Sequence, residues 1–180
     1  MGWKDWFKKE EVPFDPLADL VLARLRVGYL VDYDLRTWQV TAHNRYDFGE
    51  GYGAEEWELS ADDQRLYLER EADDGVHWHL YRKIPVGALG GNVRQHIKEH
   101  DDAPDRVVCR EVTYYLDESG GGHMTPEGTR ERQGFLYWDY EDDDGKRYLT
   151  VEQWGETEFE ASLGDEVEEY QFSNILPGSP

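Results

Sequence analysis

Residues 57–71, WELSADDQRLYLERE, and residues 138–152, WDYEDDDGKRYLTVE, are the two stretches whose likeness decides the fold. Compared without gaps at an offset of 81, residues 31–71 match residues 112–152 at eleven of forty-one positions, where shared composition alone gives roughly three. The matches are Val31/Val112, Tyr33/Tyr114, Leu35/Leu116, Glu50/Glu131, Gly53/Gly134, Trp57/Trp138, Asp62/Asp143, Asp63/Asp144, Tyr67/Tyr148, Leu68/Leu149 and Glu71/Glu152. Aromatics, a turn glycine and acidic turn residues are what a repeated β unit needs for packing and bends. None of them forms a recognisable catalytic set. The pattern predicts a mainly β, internally duplicated antiparallel domain, either a sandwich or barrel-like, with one or two short helices.

Outward from that stretch, the period of two recurs along the chain. Tyr29, Val31 and Tyr33 alternate with Leu30, Asp32 and Asp34, a turn falls at 34–36, and Trp38 and Val40 continue the pattern as a hairpin. A glycine-spaced loop at 49–53 leads to strands at 55–60, 65–72 and, after an Asp74-Gly75 turn, 76–83. The second half predicts a strand at 106–116, a glycine loop at 120–122, and strands at 133–141, 146–153, 156–162 and 166–174. The two repeats then span 27–84 and 106–175, within one domain at 25–177. A glycine-rich joint at 85–105 connects them and carries a helical pattern from Asn92 to His100.

The N-terminal segment, 1–24, reads differently. Its first ten residues place Trp3, Trp6 and Phe7 on one helical face with Lys4, Lys8 and Lys9 elsewhere, which suits docking on the protein body or a partner, or peripheral membrane contact. Gly2 lacks the downstream Ser or Thr of a myristoylation signal. Apolar residues spaced by three and four predict a short helix at 17–26, capped by Asp15-Pro16.

Composition narrows the function classes. Forty acidic residues against 19 basic ones give a net charge of −21, a field that repels phosphate backbones and so excludes nucleic acid as a partner. Only six of the basic residues are lysines, which fits either a high-salt habitat or an ordinary acidic protein. The single Cys109, set in an apolar strand pattern, reads as a buried thiol in a reducing compartment. No apolar run is long enough to span a bilayer or serve as a signal-peptide core, so the expected location is the cytoplasm.

Taken together, LRVGYLVDYDLRTWQV, RYDFGEGYGAEEWELSADDQRLYLERE, YYLDESGGG, FLYWDYEDDDGKRYLTVEQWG and the terminal FSNILP resemble the bacterial family of unknown function numbered 4178, over roughly residues 25–177. The family pattern carries Asp after the first Val-Gly, where this chain has Tyr29. The resemblance brings no catalytic residues with it and implies an accessory role.

The residues themselves offer three chemistries. His96, Glu99 and His100 fit an H-x-x-E-H string, in which two imidazoles one helical turn apart hold zinc and a glutamate activates water; this is the hydrolase alternative, opposed by the flanking glycines and Asp101-Asp102. The run at 141–145 fails as a calcium loop, because Tyr140 and Val151 stand where oxygen ligands belong, and reads as an Asp-Gly turn. The aromatics carry the main expectation. Trp38, Trp57, Trp78, Trp138 and Trp154, with Tyr46, Tyr52, Tyr67, Tyr137 and Tyr148, lie among carboxylates that attract cations. The expected activity is therefore non-enzymatic, without a cofactor: recognition of a protein partner or a cationic small molecule through exposed aromatics, with Trp57, Trp78, Trp138, Trp154 and Tyr52 as the site. The opposing expectation is that the tryptophans fill a β core.

Overall fold

The computed structural model describes residues 20–72 and 75–179. Its strands are β1 (Leu30–Tyr33), β2 (Arg36–Gly49), β3 (Tyr52–Ala61), β4 (Gln64–Glu71), β5 (His77–Ile84), β6 (Arg106–Cys109), β7 (Val112–Pro126), β8 (Gln133–Asp142), β9 (Arg147–Gln153), β10 (Phe159–Val167) and β11 (Phe172–Leu176). One helix, α1 (Val93–His100), separates β5 from β6. All strands join in a single sheet of order β11-β1-β2-β3-β4-β5-β10-β9-β8-β7-β6. A further antiparallel pairing, Asn44 to Asp47 of β2 with His123 to Pro126 of β7, closes the eight strands between them into a barrel. Of the two closures expected, the chain adopts the barrel. Among the described residues no helix is long and apolar enough to cross a membrane.

Strand alternation sends apolar residues away from the barrel axis and polar ones toward it. On β3, β4 and β5 the outward set is Trp57, Leu59, Leu66, Leu68, Trp78 and Leu80. Leu22, Leu25, Val31 and Phe172, from the segments flanking β2, complete that cluster. On β8, β9 and β10 the outward set is Trp138, Tyr140, Leu149, Val151, Phe159 and Ala161, and Val93 and Ile97 of α1 with Val107 and Cys109 of β6 cover it. Each fully buried Leu or Val supplies about 1.5–3 kcal/mol, so two separate apolar layers outside the barrel stabilise a wall whose inner face is free to be polar. Trp57 ties one layer together by donating its indole N–H to the Leu25 carbonyl at 3.0 Å, and Trp138 ties the other by donating to Asp102 Oδ1 at 2.8 Å.

Several expectations change. The helix at 17–26 is, within the described residues, a single 3-10 turn at Leu22–Arg24, because Leu25 leaves it in extended conformation so that the chain can enter β1. The strand at 106–116 is a hairpin: Arg110 and Glu111, with φ of 49° and 69°, make the tight turn between β6 and β7, as Asp34 and Leu35 do between β1 and β2. The expected glycine loop at 120–122 is the middle of β7. A Cβ on Gly120 would lie 2.8 Å from the Tyr137 hydroxyl, and one on Gly122 would lie 3.1 Å from the Phe135 ring, so these glycines make room for aromatics of the next strand. The final strand is divided by a 3-10 turn at Glu169–Gln171, where Glu168 and Gln171 form a capping box. Residues 1–10, with Trp3, Trp6 and Phe7, and the Asp73-Asp74 turn lie outside the described residues.

The offset of 81 relates β3 to β8 but not the whole length. Val31 faces Trp38 across the first hairpin and Val107 faces Tyr114 across the corresponding one, a separation of 76. Trp57 pairs with Leu68, whereas Trp138 pairs with Val151 rather than Leu149. The six-residue loop at 127–132, against two residues at 50–51, and the longer turn before β9 account for these slips.

Candidate functional site

Two β-bulges decide which residues of β2 and β7 face the barrel interior. The pairing of β2 with β3 skips Thr41, so Trp38 and Val40 pack in the outer layer while Asn44, Tyr46 and Phe48 turn into the barrel. The pairing of β7 with β8 skips Asp117 in the same way, placing Leu116 against the outer layer, Met124 inside and Glu118 at the exposed edge of the smaller chamber.

The interior holds a cavity of about 520 Å³, and a second chamber of about 270 Å³ adjoins it. The chambers share Phe48, Glu71, Tyr81, Tyr137, Asp139 and Thr150 in their walls. One side of the larger chamber is aromatic. Phe135 stacks on Trp154 at 4.6 Å between ring centres, and Tyr46, Phe48 and Tyr137 lie against Phe135 or one another at 5.3–6.2 Å. The other side is acidic. Glu56, Glu58, Glu69, Glu71, Asp139, Glu152, Glu158 and Glu160 line the larger chamber, and Lys83 is the one basic residue among its lining groups.

The carboxylates crowd one another. Glu56 stands opposite Glu69 across β3 and β4, and Glu152 opposite Glu160 across β9 and β10; side chains so paired have Cβ atoms about 5 Å apart. Burial pushes Glu69 well above the usual carboxylate range, and Glu71, Glu56, Asp139 and Glu152 add to the push. Burial also raises Glu56, opposed by hydrogen bonds that its Oε1 accepts from Asn44 at 3.0 Å and the Tyr46 hydroxyl at 3.2 Å. Asp139 is lifted by burial to about 7 although Thr150 donates to it at 2.6 Å. Glu152 is lifted to about 8, again by burial, with Glu56 and Glu160 adding and Lys83 opposing. A proton or a cation shared among these groups lowers their mutual repulsion. The wall already seats one ammonium: Lys83 Nζ lies 4.7 Å from the centre of the Tyr67 ring and hydrogen-bonds Glu160.

The family described as domain of unknown function, DUF4178, matches residues 26–169. The chain belongs to this family. The match takes in every barrel strand, so the lumen lies wholly within the DUF4178 region. A protein of Aquifex aeolicus (strain VF5), described as an uncharacterized protein, is 26% identical to this chain over 170 residues, covering 94% of this chain and 93% of its own. No solved structure matches the chain. Tyr29 packs its ring against the outer layer and gives its carbonyl to the Val40 amide, so its side chain is not at the lumen.

Within this DUF4178 barrel the residues singled out from the sequence separate cleanly. Trp57, Trp78 and Trp138 are 0%, 4% and 4% exposed and belong to the outer layers, which corrects their assignment to a ligand surface. Trp154 lines the larger chamber and Tyr52 the smaller. Tyr46, Tyr67, Tyr137 and Tyr148 also face the lumen, as do the matched residues Glu71 and Glu152; the matched letters therefore serve a wet polar cleft as well as packing. On α1, His96 and His100 lie 4.4 Å apart between ring centres and Glu99 accepts a hydrogen bond from Gln95, while no group of three His, Cys, Asp or Glu side chains able to hold a metal occurs among the described residues. Among the described residues His96 and His100 thus have no third ligand. Cys109 is buried, and burial raises its thiol. The residues that sequence reading missed, Glu56, Glu69 and Asp139, carried one signal: acidic residues alternating with core aromatics and leucines on strands buried on both faces.

Proposed function

We propose that this protein is a binding module that takes a cationic small molecule into its barrel lumen, with the carboxylates of Glu56, Glu69, Asp139 and Glu152 meeting the charge and the Tyr46, Phe48, Phe135 and Trp154 wall covering its apolar part. The observation that carries the reading is the seat already occupied by Lys83. Its ammonium rests on an aromatic face beside a carboxylate, and the same two kinds of group continue around a cavity large enough for a ligand of small-molecule size. A cation entering the lumen exchanges hydration water for charge-assisted hydrogen bonds and cation–π contact, about 1.5–3 kcal/mol for each charged hydrogen bond. Anions and neutral polar molecules gain neither. A basic peptide, the other occupant that an acidic protein suggests, has to present a single side chain end-on to a closed barrel, so the small molecule is favoured.

The test is a titration with organic amines from butylamine to spermidine at about 0.15 M salt, where the Debye length of about 8 Å screens loose surface association. Trp154 fluorescence should change saturably, and Glu69→Gln should weaken binding about tenfold or more. A chain that answers to no amine, or binds as well after Glu69→Gln, defeats the proposal.

A further inference from the structure

We infer that the ligand is an elongated molecule carrying several cationic centres, a linear oligoamine, which occupies both chambers of the lumen at once. The inference rests on the cation-binding reading above and specifies its substrate class. A ligand with one charge and a compact body would be served by one chamber. Here the acidic lining continues past the junction at Glu71 and Asp139 into the second chamber, where Asp117, Glu118 and Glu141 face the same space.

The geometry favours a chain over a sphere. Along β4 the lumen-facing residues Tyr67, Glu69 and Glu71 follow one another at alternate positions, so acceptors recur about every 6.6 Å, and the row from Tyr67 to Glu71 alone covers about 13 Å. At the junction Tyr81 and Tyr137 contribute to both chambers and confine the passage with ring faces. Gly164 lies directly beneath the Tyr81 ring, and Gly120 beneath the Tyr137 hydroxyl, so both aromatics lie back against the wall in space that a Cβ would take. A slender methylene chain fits between such rings, with an ammonium in each acidic zone on either side. In the second chamber His79 meets Tyr148 edge-on at 4.9 Å, and its Nδ1 is buried without a hydrogen-bond partner, available to accept from an ammonium. Burial keeps that imidazole toward its neutral form, so it does not repel one.

The experiment compares butylamine, putrescine and spermidine by calorimetry on the full chain and on Asp117→Asn/Glu141→Gln, which alters the second chamber. Asp62→Asn/Asp63→Asn, at the exposed turn between β3 and β4, changes net charge equally and serves as the control for the general field of the protein. The expected result is affinity rising about tenfold or more per added ammonium, and a spermidine-to-butylamine ratio that falls about tenfold in the second-chamber variant and holds in the control. Equal affinity across the three amines, or a ratio shifted alike in both variants, overturns the elongated ligand while leaving a cation site in place. Absence of binding by all three amines overturns the cation site itself.

Discussion

Glu56 and Glu69 stand directly opposite one another on the inner faces of β3 and β4, and among the described residues neither carboxylate is hydrogen-bonded to a basic side chain. Like charges in this position oppose folding, so the pair is held by the apolar layers behind it, where Trp57 and Leu68 occupy the neighbouring outward positions. The wall is thus stabilised on one face and left electrostatically unsatisfied on the other.

Removing one of these charges should therefore separate stability from binding. Burial and its acidic neighbours hold Glu69 toward its protonated form, so Glu69→Gln, which keeps the shape, should show its gain of about 0.5–1.5 kcal/mol in urea denaturation at alkaline pH, where the carboxyl ionises, while amine affinity falls. A loss of stability would mean that Glu69 is paired more favourably than its surroundings indicate.

The pH dependence has a definite sign. Asp139 and Glu152 have folded-state values raised to about 7 and about 8, above the roughly 4 of an unfolded carboxyl, so the unfolded chain gives up these protons first. Their contribution to stability is fully present below about pH 4 and is lost as pH rises through about 7 to 8. Urea midpoints should therefore decline between about pH 5 and pH 8, and less steeply in Asp139→Asn/Glu152→Gln. Amine affinity should move the opposite way, strengthening over the same range, because a cation competes with those protons. Calorimetry in buffers of different ionisation heat should register proton release on binding at pH 7.

Fluorescence should distinguish the tryptophans by layer. Trp154 lines the lumen and stacks on Phe135, so Trp154→Phe should abolish most of the ligand-induced change. Trp57→Phe should leave that change in place. It should instead cost about 2–4 kcal/mol in denaturation, through lost volume and the broken bond to the Leu25 carbonyl.

The narrow passage should depend on a residue with no functional group. Gly164→Ala places a methyl against the Tyr81 ring and forces it inward. Overpacking of this kind costs about 1–3 kcal/mol, and the ring displaced into the lumen should weaken spermidine more than butylamine. In a Tyr81→Leu background the same substitution should be nearly neutral for stability, which a double-mutant cycle reads directly.

The strands of the barrel wall were legible because alternation is local: WELSADDQRLYLERE reads as two strands and a turn without reference to anything distant. The glycines at 120–122 were misread as a loop for the complementary reason, since what they accommodate, the rings of Phe135 and Tyr137, belongs to another strand. The site was half legible. An acidic chain rich in aromatics pointed to cations, yet Trp57, Trp78 and Trp138 stood out where Glu56, Glu69 and Asp139 did not.

By itself, then, the sequence determined the strands, most of their turns, the family and the sign of the charge, all properties carried by neighbouring residues or by composition. Only the tertiary structure decided which face of each strand is the lumen. Trp57 and Glu56 are adjacent in the chain and point oppositely, and both directions satisfy alternation equally well. The pairing of β2 with β7 and the bulges at Thr41 and Asp117 break that tie, because they are contacts between distant segments that no local pattern encodes.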